Sequence, residues 1–202
     1  YCGMDVGGTD IKLAASLNGR LIAVKEYDWN PAASQTAEGI TGPMLRLIRL
    51  MRACVIADGL PHDAECVQRL TAALRKDASD AEMDAAIIAC ESAAAELPLF
   101  SGIGLSFPDV VINDRILGGE TPKTKGMREN TALDYETEFA KLAAVGENMA
   151  HCCKDGVRVR IINDGPMAAF SAAAELAQDG DTQLGESGVI AHSLGTDLGS
   201  GW

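Results

Sequence analysis

Two short alternating runs separated by Gly7-Gly8-Thr9 open this chain and commit it to folding back on itself. Tyr1 to Val6 forms the first run, and in the second Ile11, Leu13, Ala15 and Leu17 alternate with less apolar neighbours. A period of two belongs to a strand with one covered face, and the glycine pair between the runs supplies a tight hairpin turn. A third run, Arg20 to Asp28, follows Asn18-Gly19, a pair favoured where a hairpin needs positive φ at both turn positions. The predicted start is therefore an antiparallel meander of three strands: Tyr1 to Val6, Asp10 to Ser16 and Arg20 to Asp28.

The first of these turns also has chemical content. A glycine pair lets backbone N–H groups converge on one anion, and the Thr9 hydroxyl adds a donor. Asp5, at the strand end, makes sense beside a phosphate only when a divalent cation lies between them, which points to magnesium with a nucleotide phosphate. A plain hairpin turn is the other reading of Gly7-Gly8-Thr9 taken alone.

Downstream, Met44, Leu47, Ile48, Met51 and Val55 recur at helical spacing in a helix predicted to begin near Pro43. Arg46, Arg49 and Arg52 fall off that stripe and read as a solvated face. Pro61 to Lys76 and Ser79 to Leu97 read as two further helices, rich in alanine and acids, that form an insertion. Phe100 to Ser106 resumes as a strand, Val110 to Leu117 reads as a hairpin around Asn113-Asp114, and a polar loop is predicted over Gly118 to Asn130. One helix is predicted from Leu133 to Met149 with Phe139, Leu142 and Val145 inward, then a β-branched strand, Val157 to Ile162. A helix over Pro166 to Gln178, with proline in its first turn, and a strand over Gly188 to Ser193 complete the order. The chain ends in a second glycine-rich turn, Gly195-Thr196 with Gly199 and Gly201, again after an apolar strand and again suited to phosphate. Alternating strands and helices after a meander predict an α/β domain with a mixed sheet, followed by the start of a second unit.

Asp164 stands at the carboxyl end of a predicted buried strand and directly before a helix, where open sheets commonly place ligands. A carboxylate there can take the proton of a substrate hydroxyl during phosphoryl transfer. Equally, Asn163-Asp164-Gly165-Pro166 can be a helix N-cap, for which Asn and Asp are favoured.

Composition narrows the partners. With 29 acidic residues against 17 basic and a formal charge of −12, the chain lacks the basic surface that nucleic acid requires. No apolar run approaches the length of a membrane span and nothing resembles a signal peptide, so the expectation is a cytoplasmic protein. Six cysteines without a CxxC pair read as reduced, packed thiols. The chain begins at Tyr1, already inside a strand, and reads as a piece of a longer one.

Five segments, taken together, resemble the sugar-kinase branch of the actin-like ATPase superfamily, of hexokinase or ROK type. Asp5 to Asp10 is similar to its first phosphate loop. Gly104-Leu105-Ser106-Phe107-Pro108 resembles the hexokinase Ser-Phe-Pro segment and the ROK Gly-x-Pro-Gly segment, and Thr124-Lys125-Gly126 resembles the loop that closes on the sugar. Ile162-Asn163-Asp164 looks like the Asn-Asp pair carrying the catalytic base, and Leu194-Gly195-Thr196 looks like the second phosphate loop.

The resemblance implies an actin-like ATPase (ribonuclease H-like) fold: an N-terminal lobe over residues 1–164 with the helical insertion at about 61–97, then a connecting helix and the start of a second lobe over 165–202. It implies ATP and magnesium as cofactors and a sugar hydroxyl as acceptor, and family members often dimerise. Asp5 would serve magnesium, Gly7, Gly8 and Thr9 the γ-phosphate, and Gly195 and Thr196 the other phosphates. Ser106, Thr124, Lys125 and Asn163 would bind sugar hydroxyls, and Asp164 would act as general base. Two positions depart from the family pattern: Asp197 places an acid in the second phosphate turn, and Asp109 replaces the glycine common after the ROK proline. A sugar-sensing transcriptional regulator of ROK type and a non-catalytic carbohydrate-binding relative are the alternatives, and polyphosphate is an alternative donor.

Overall fold

The computed structural model describes residues 1–118, 121–180, 188–194 and 198–201. The predicted meander forms as β1 (Cys2–Val6), β2 (Asp10–Leu17) and β3 (Arg20–Asp28), each antiparallel to the next. Asn18 and Gly19 both take positive φ, 51° and 77°, as a two-residue hairpin of primed type demands. β4 (Ile103–Phe107) and β7 (Arg160–Asn163) then join in parallel, giving a mixed five-stranded sheet ordered β3-β2-β1-β4-β7. Parallel pairing brings the carboxyl ends of β1, β4 and β7 to one edge of the sheet, and that edge carries the site.

One face of the sheet is the core. Met4, Val6, Ile11, Leu13 and Leu105 are buried beneath α1 (Glu38–Ala57), whose Ile40, Met44, Leu47, Ile48 and Met51 are fully covered. The helix starts five residues before the predicted Pro43. Proline has no N–H for the carbonyl of Gly39 one turn back, and the Ser34 hydroxyl donates to that carbonyl instead, at 3.1 Å. The amino end of α1 is capped from far away: the Ala37 N–H donates to a Glu138 carboxylate oxygen at 2.8 Å.

The insertion folds as α2 (Glu65–Ala73) and α3 (Asp80–Ala93), the latter opened by a capping box between Ser79 and Glu82. Its acids overturn the reading of the arginine row as solvated. Arg46 pairs with Asp80 and Asp84, and Arg49 and Arg52 both grip Glu91, so the row joins α1 to α3.

The hairpin of β5 (Val111–Ile112) and β6 (Arg115–Ile116) turns on Asn113 and Asp114, both at positive φ. The predicted polar loop instead holds a 3-10 turn, Pro122–Thr124, and a short α4 (Lys125–Glu129). Gly126 lets α4 sit against backbone, because a Cβ there would lie 2.5 Å from the Ser34 carbonyl oxygen. The single helix predicted over 133–149 is two, α5 (Tyr135–Ala143) and α6 (Val145–Ala150), broken where Ala144 leaves helical ψ. α7 (Asp164–Gln178) follows β7 without a loop. β8 (Ala191–Leu194) and β9 (Leu198–Gly201) pair antiparallel beside α7, so Gly199 and Gly201 lie in a strand where a turn was predicted. A Cβ on Gly201 would meet the Gly165 carbonyl oxygen at 2.1 Å. Among the described residues no helix is long and apolar enough to cross a membrane.

Candidate functional site

Register places the site before any side chain is considered. Asp5 lies opposite Ser106 in the β1–β4 ladder and Phe107 lies opposite Asn163 in the β4–β7 ladder, so three segments far apart in sequence meet at one edge. Cys2, Met4 and Val6 point into the core, and Gly3 and Asp5 therefore face the other side of the sheet. On that side a cleft of about 1240 Å³ opens between the strand ends and α7. Asp5, Gly7, Gly8, Thr9, Ser106, Asn163 and Asp164 all line it.

The first turn is built to leave donors unspent. The Gly7 N–H closes the turn on the Asp10 carbonyl oxygen at 2.8 Å, while the Gly8 and Thr9 N–H groups donate to no protein atom among the described residues. Trp29 holds the turn from behind: its ring N–H donates to the Gly7 carbonyl at 3.1 Å and its backbone N–H to the Thr9 carbonyl at 3.0 Å. Two free amides and a hydroxyl on a braced turn are the kind of donor set that can receive an anion. The fit extends to a nucleotide-borne cation. Among the described residues no three His, Cys, Asp or Glu side chains converge on one point, and magnesium carried on phosphates needs only one or two protein carboxylates beside them. Asp5, exposed and lining the cleft, offers one such carboxylate.

Of the pair Asn163-Asp164, it is Asn163 that takes the N-cap role. Asn163 is the N-cap of α7, its side-chain oxygen accepting from the Gly165 N–H at 3.0 Å. Its amide N–H donates to the Asp109 carbonyl at 2.8 Å, so this side chain is spent on holding β7 to the segment after β4. Asp164 is the first residue of the helix; Oδ1 accepts from the Gly165 N–H at 2.9 Å, and Oδ2 has no hydrogen bond among the described residues. One carboxylate oxygen thus stays available to the cleft.

Thr124 and Lys125 stand apart from the other predicted residues. Thr124 is 0% exposed, donates to the Thr121 carbonyl, and accepts from Arg128 and from the Tyr135 hydroxyl. It is a packing hub and does not line the cleft. Lys125 is exposed and lies 3.8 Å from Glu129 one turn on. Two other lysines line the cleft, Lys12 on β2 and Lys123, two residues before Lys125. Gly195, Thr196 and Asp197, the second predicted phosphate turn, lie outside the described residues.

Asp109 is a site residue that sequence reasoning had marked only as a departure. Asp109 lines the cleft, and burial pushes its carboxyl above the usual carboxylate range against the opposing pull of the Val110 N–H and of Lys123. The cysteines take no part: all six are free, and burial drives the Cys2 and Cys54 thiols up to about 12 and Cys90 to about 11. Comparison with protein-family models, curated proteins and solved structures returns no match for this chain.

Proposed function

We propose that this chain is the amino-terminal lobe, with the start of a second, of an actin-like ATPase-type sugar kinase that transfers the γ-phosphoryl group of ATP, with magnesium, to a sugar hydroxyl. One observation carries the reading: a braced turn with two unspent amides, a carboxylate suited to a phosphate-borne cation and a second carboxylate with a free oxygen share one cleft at the carboxyl edge of a mixed sheet.

ATP supplies the transferable phosphoryl group, and its magnesium ion neutralises charge developing on the phosphate oxygens. Gly8 and Thr9 would hold the γ-phosphate through N–H and hydroxyl donors fixed in advance by Trp29, so they need no reorganisation during transfer. Asp5 would face the cation. Asp164 would accept the proton of the sugar hydroxyl as its oxygen bonds to the γ-phosphorus and the bond to the ADP oxygen breaks. Asn163 positions Asp164 by locking the β7–α7 junction.

The test is a coupled ADP-release assay on the full-length protein with ATP, magnesium and a panel of hexoses and amino sugars. Sugar-dependent release that falls at least about a thousandfold in Asp164→Asn, with unchanged thermal unfolding, supports the assignment. Sugar binding without turnover supports the non-catalytic relative instead.

A further inference from the structure

Two residues that line the cleft each carry a buried polar atom with no hydrogen-bond partner among the described residues: Ser106, 3% exposed, at Oγ, and Asp109, 9% exposed, at Oδ2. A buried oxygen left unpaired costs stability, and a buried carboxylate oxygen costs more, so a pair of them in one wall calls for a ligand that supplies the missing partners. The carboxylate is held with care. The Asp109 N–H donates to the Phe107 carbonyl at 2.9 Å across Pro108, a tight turn that reverses the chain as it leaves β4. The Asp109 carbonyl accepts from Asn163, and Oδ1 accepts from the Val110 N–H at 2.7 Å. Gly118 makes the room, since a Cβ there would lie 1.6 Å from Oδ1. Every other polar atom of Asp109 is engaged, and Oδ2 alone remains.

Resting on the sugar-kinase reading, we propose that Asp109 is a specificity-determining residue: its Oδ2, together with Ser106 Oγ, binds sugar hydroxyls other than the one presented to Asp164 and selects neutral or amino sugars over acidic ones. A hydroxyl can donate to Oδ2 and accept from the serine, matching a wall with one acceptor that must be filled and one group that can give or take. A sugar bearing a carboxylate or phosphate at that position meets Asp109 with like charge and no hydrogen to donate.

The experiment is calorimetric binding and steady-state kinetics on the full-length protein with D-glucose, N-acetylglucosamine and D-glucuronate, comparing the parent protein with Asp109→Asn, Ser106→Ala and Asp164→Asn, each checked for folding by thermal unfolding. Loss of a hydrogen bond to a charged group predicts that Asp109→Asn raises the Kd and KM of the neutral sugar about tenfold or more while the KM for ATP stays put. Ser106→Ala is expected to shift the same constants in the same direction, and keeps the test open should Asp109→Asn not fold. Glucuronate binds the parent protein at least about tenfold more weakly than glucose, and Asp109→Asn narrows that gap. Unchanged sugar binding in both variants, or glucuronate binding as tightly as glucose, with turnover still lost in Asp164→Asn, overturns this inference and leaves the kinase reading standing. No binding or turnover of any sugar by the parent protein overturns both.

Discussion

The side-chain amide of Asn163 donates to the carbonyl oxygen of Asp109 at 2.8 Å, joining the end of β7 to the turn that leaves β4. The same side chain caps α7 through its oxygen. One residue therefore sets the spacing between Asp164 and the buried wall of Ser106 and Asp109, and its two functions can be separated by substitution.

Asn163→Ala removes both bonds and is expected to destabilise the fold by about 1–2 kcal/mol, the usual cost of a lost cap. Asn163→Asp keeps the capping oxygen but turns the donor to Asp109 into a second acceptor. Urea unfolding should rank Ala and Asp apart from the parent protein, with the Asp variant retaining α7 by circular dichroism yet losing sugar affinity. Equal sugar affinity in Asn163→Asp and the parent protein would count against the positioning role.

Gly7→Ala tests the phosphate turn. The new Cβ would lie 2.6 Å from Asp10 Oδ1 and 3.0 Å from the Asp10 carbonyl oxygen, while the Asp10 carboxylate is itself held at 2.8 Å by Lys12. The turn must open, at a cost of about 1 kcal/mol in stability. Its larger effect is expected on the KM for ATP, because the two unspent amides at Gly8 and Thr9 move with it. Nucleotide titration of the variant checks this; an unchanged ATP affinity would remove the turn from the phosphate site.

Glu91 lies between Arg49 and Arg52, at 2.7 and 2.6 Å. Burial pushes its carboxyl up, but hydrogen bonds from both arginines outweigh that and hold it below the usual range. A carboxyl depressed in the folded state contributes stability that is fully present above its unfolded pKa of about 4.3 and is lost as pH falls through the lower folded value. Glu91→Gln leaves Arg52, 8% exposed, without its counter-charge and is expected to cost about 3 kcal/mol at neutral pH. Urea midpoints measured from pH 7 downward should show the gap between variant and parent closing once the parent's own carboxyl is protonated.

Cys2, Cys54 and Cys90 are buried, and their raised pKa values leave almost no thiolate at neutral pH. A chromogenic disulfide reagent should leave these three unmodified in the folded protein and modify them after unfolding in urea. Rapid labelling of the native chain at any of them would contradict the packing described for β1, α1 and α3.

Much of the local architecture was legible in the residues because its causes are local. Asn18-Gly19 and Asn113-Asp114 announce hairpins through their tolerance of positive φ, and Ser79 with Glu82 announces the start of α3. Parts of the candidate site were legible for the same reason: Gly7-Gly8-Thr9 and Asn163-Asp164 sit at strand ends, where open sheets present ligand groups, and they line one cleft. What the sequence did not reveal were particular side-chain pairings with distant partners. Nothing near Arg49 or Arg52 in sequence reveals Glu91, nothing near Ala37 reveals Glu138, and nothing near Thr124 shows that Arg128 and Tyr135 turn its hydroxyl inward.

From its sequence alone, then, this protein's opening meander, its two positive-φ hairpin turns and the cap of α3 follow, together with the identity of the groups available for phosphate and proton chemistry, since backbone preference and side-chain chemistry act over a few residues. Tertiary structure alone decided which of those groups share a cleft and which are already spent. Burial and hydrogen-bond satisfaction depend on what packs against each atom, and here the Asn163 amide was consumed by Asp109 while Ser106 Oγ and Asp109 Oδ2 have no hydrogen-bond partner among the described residues.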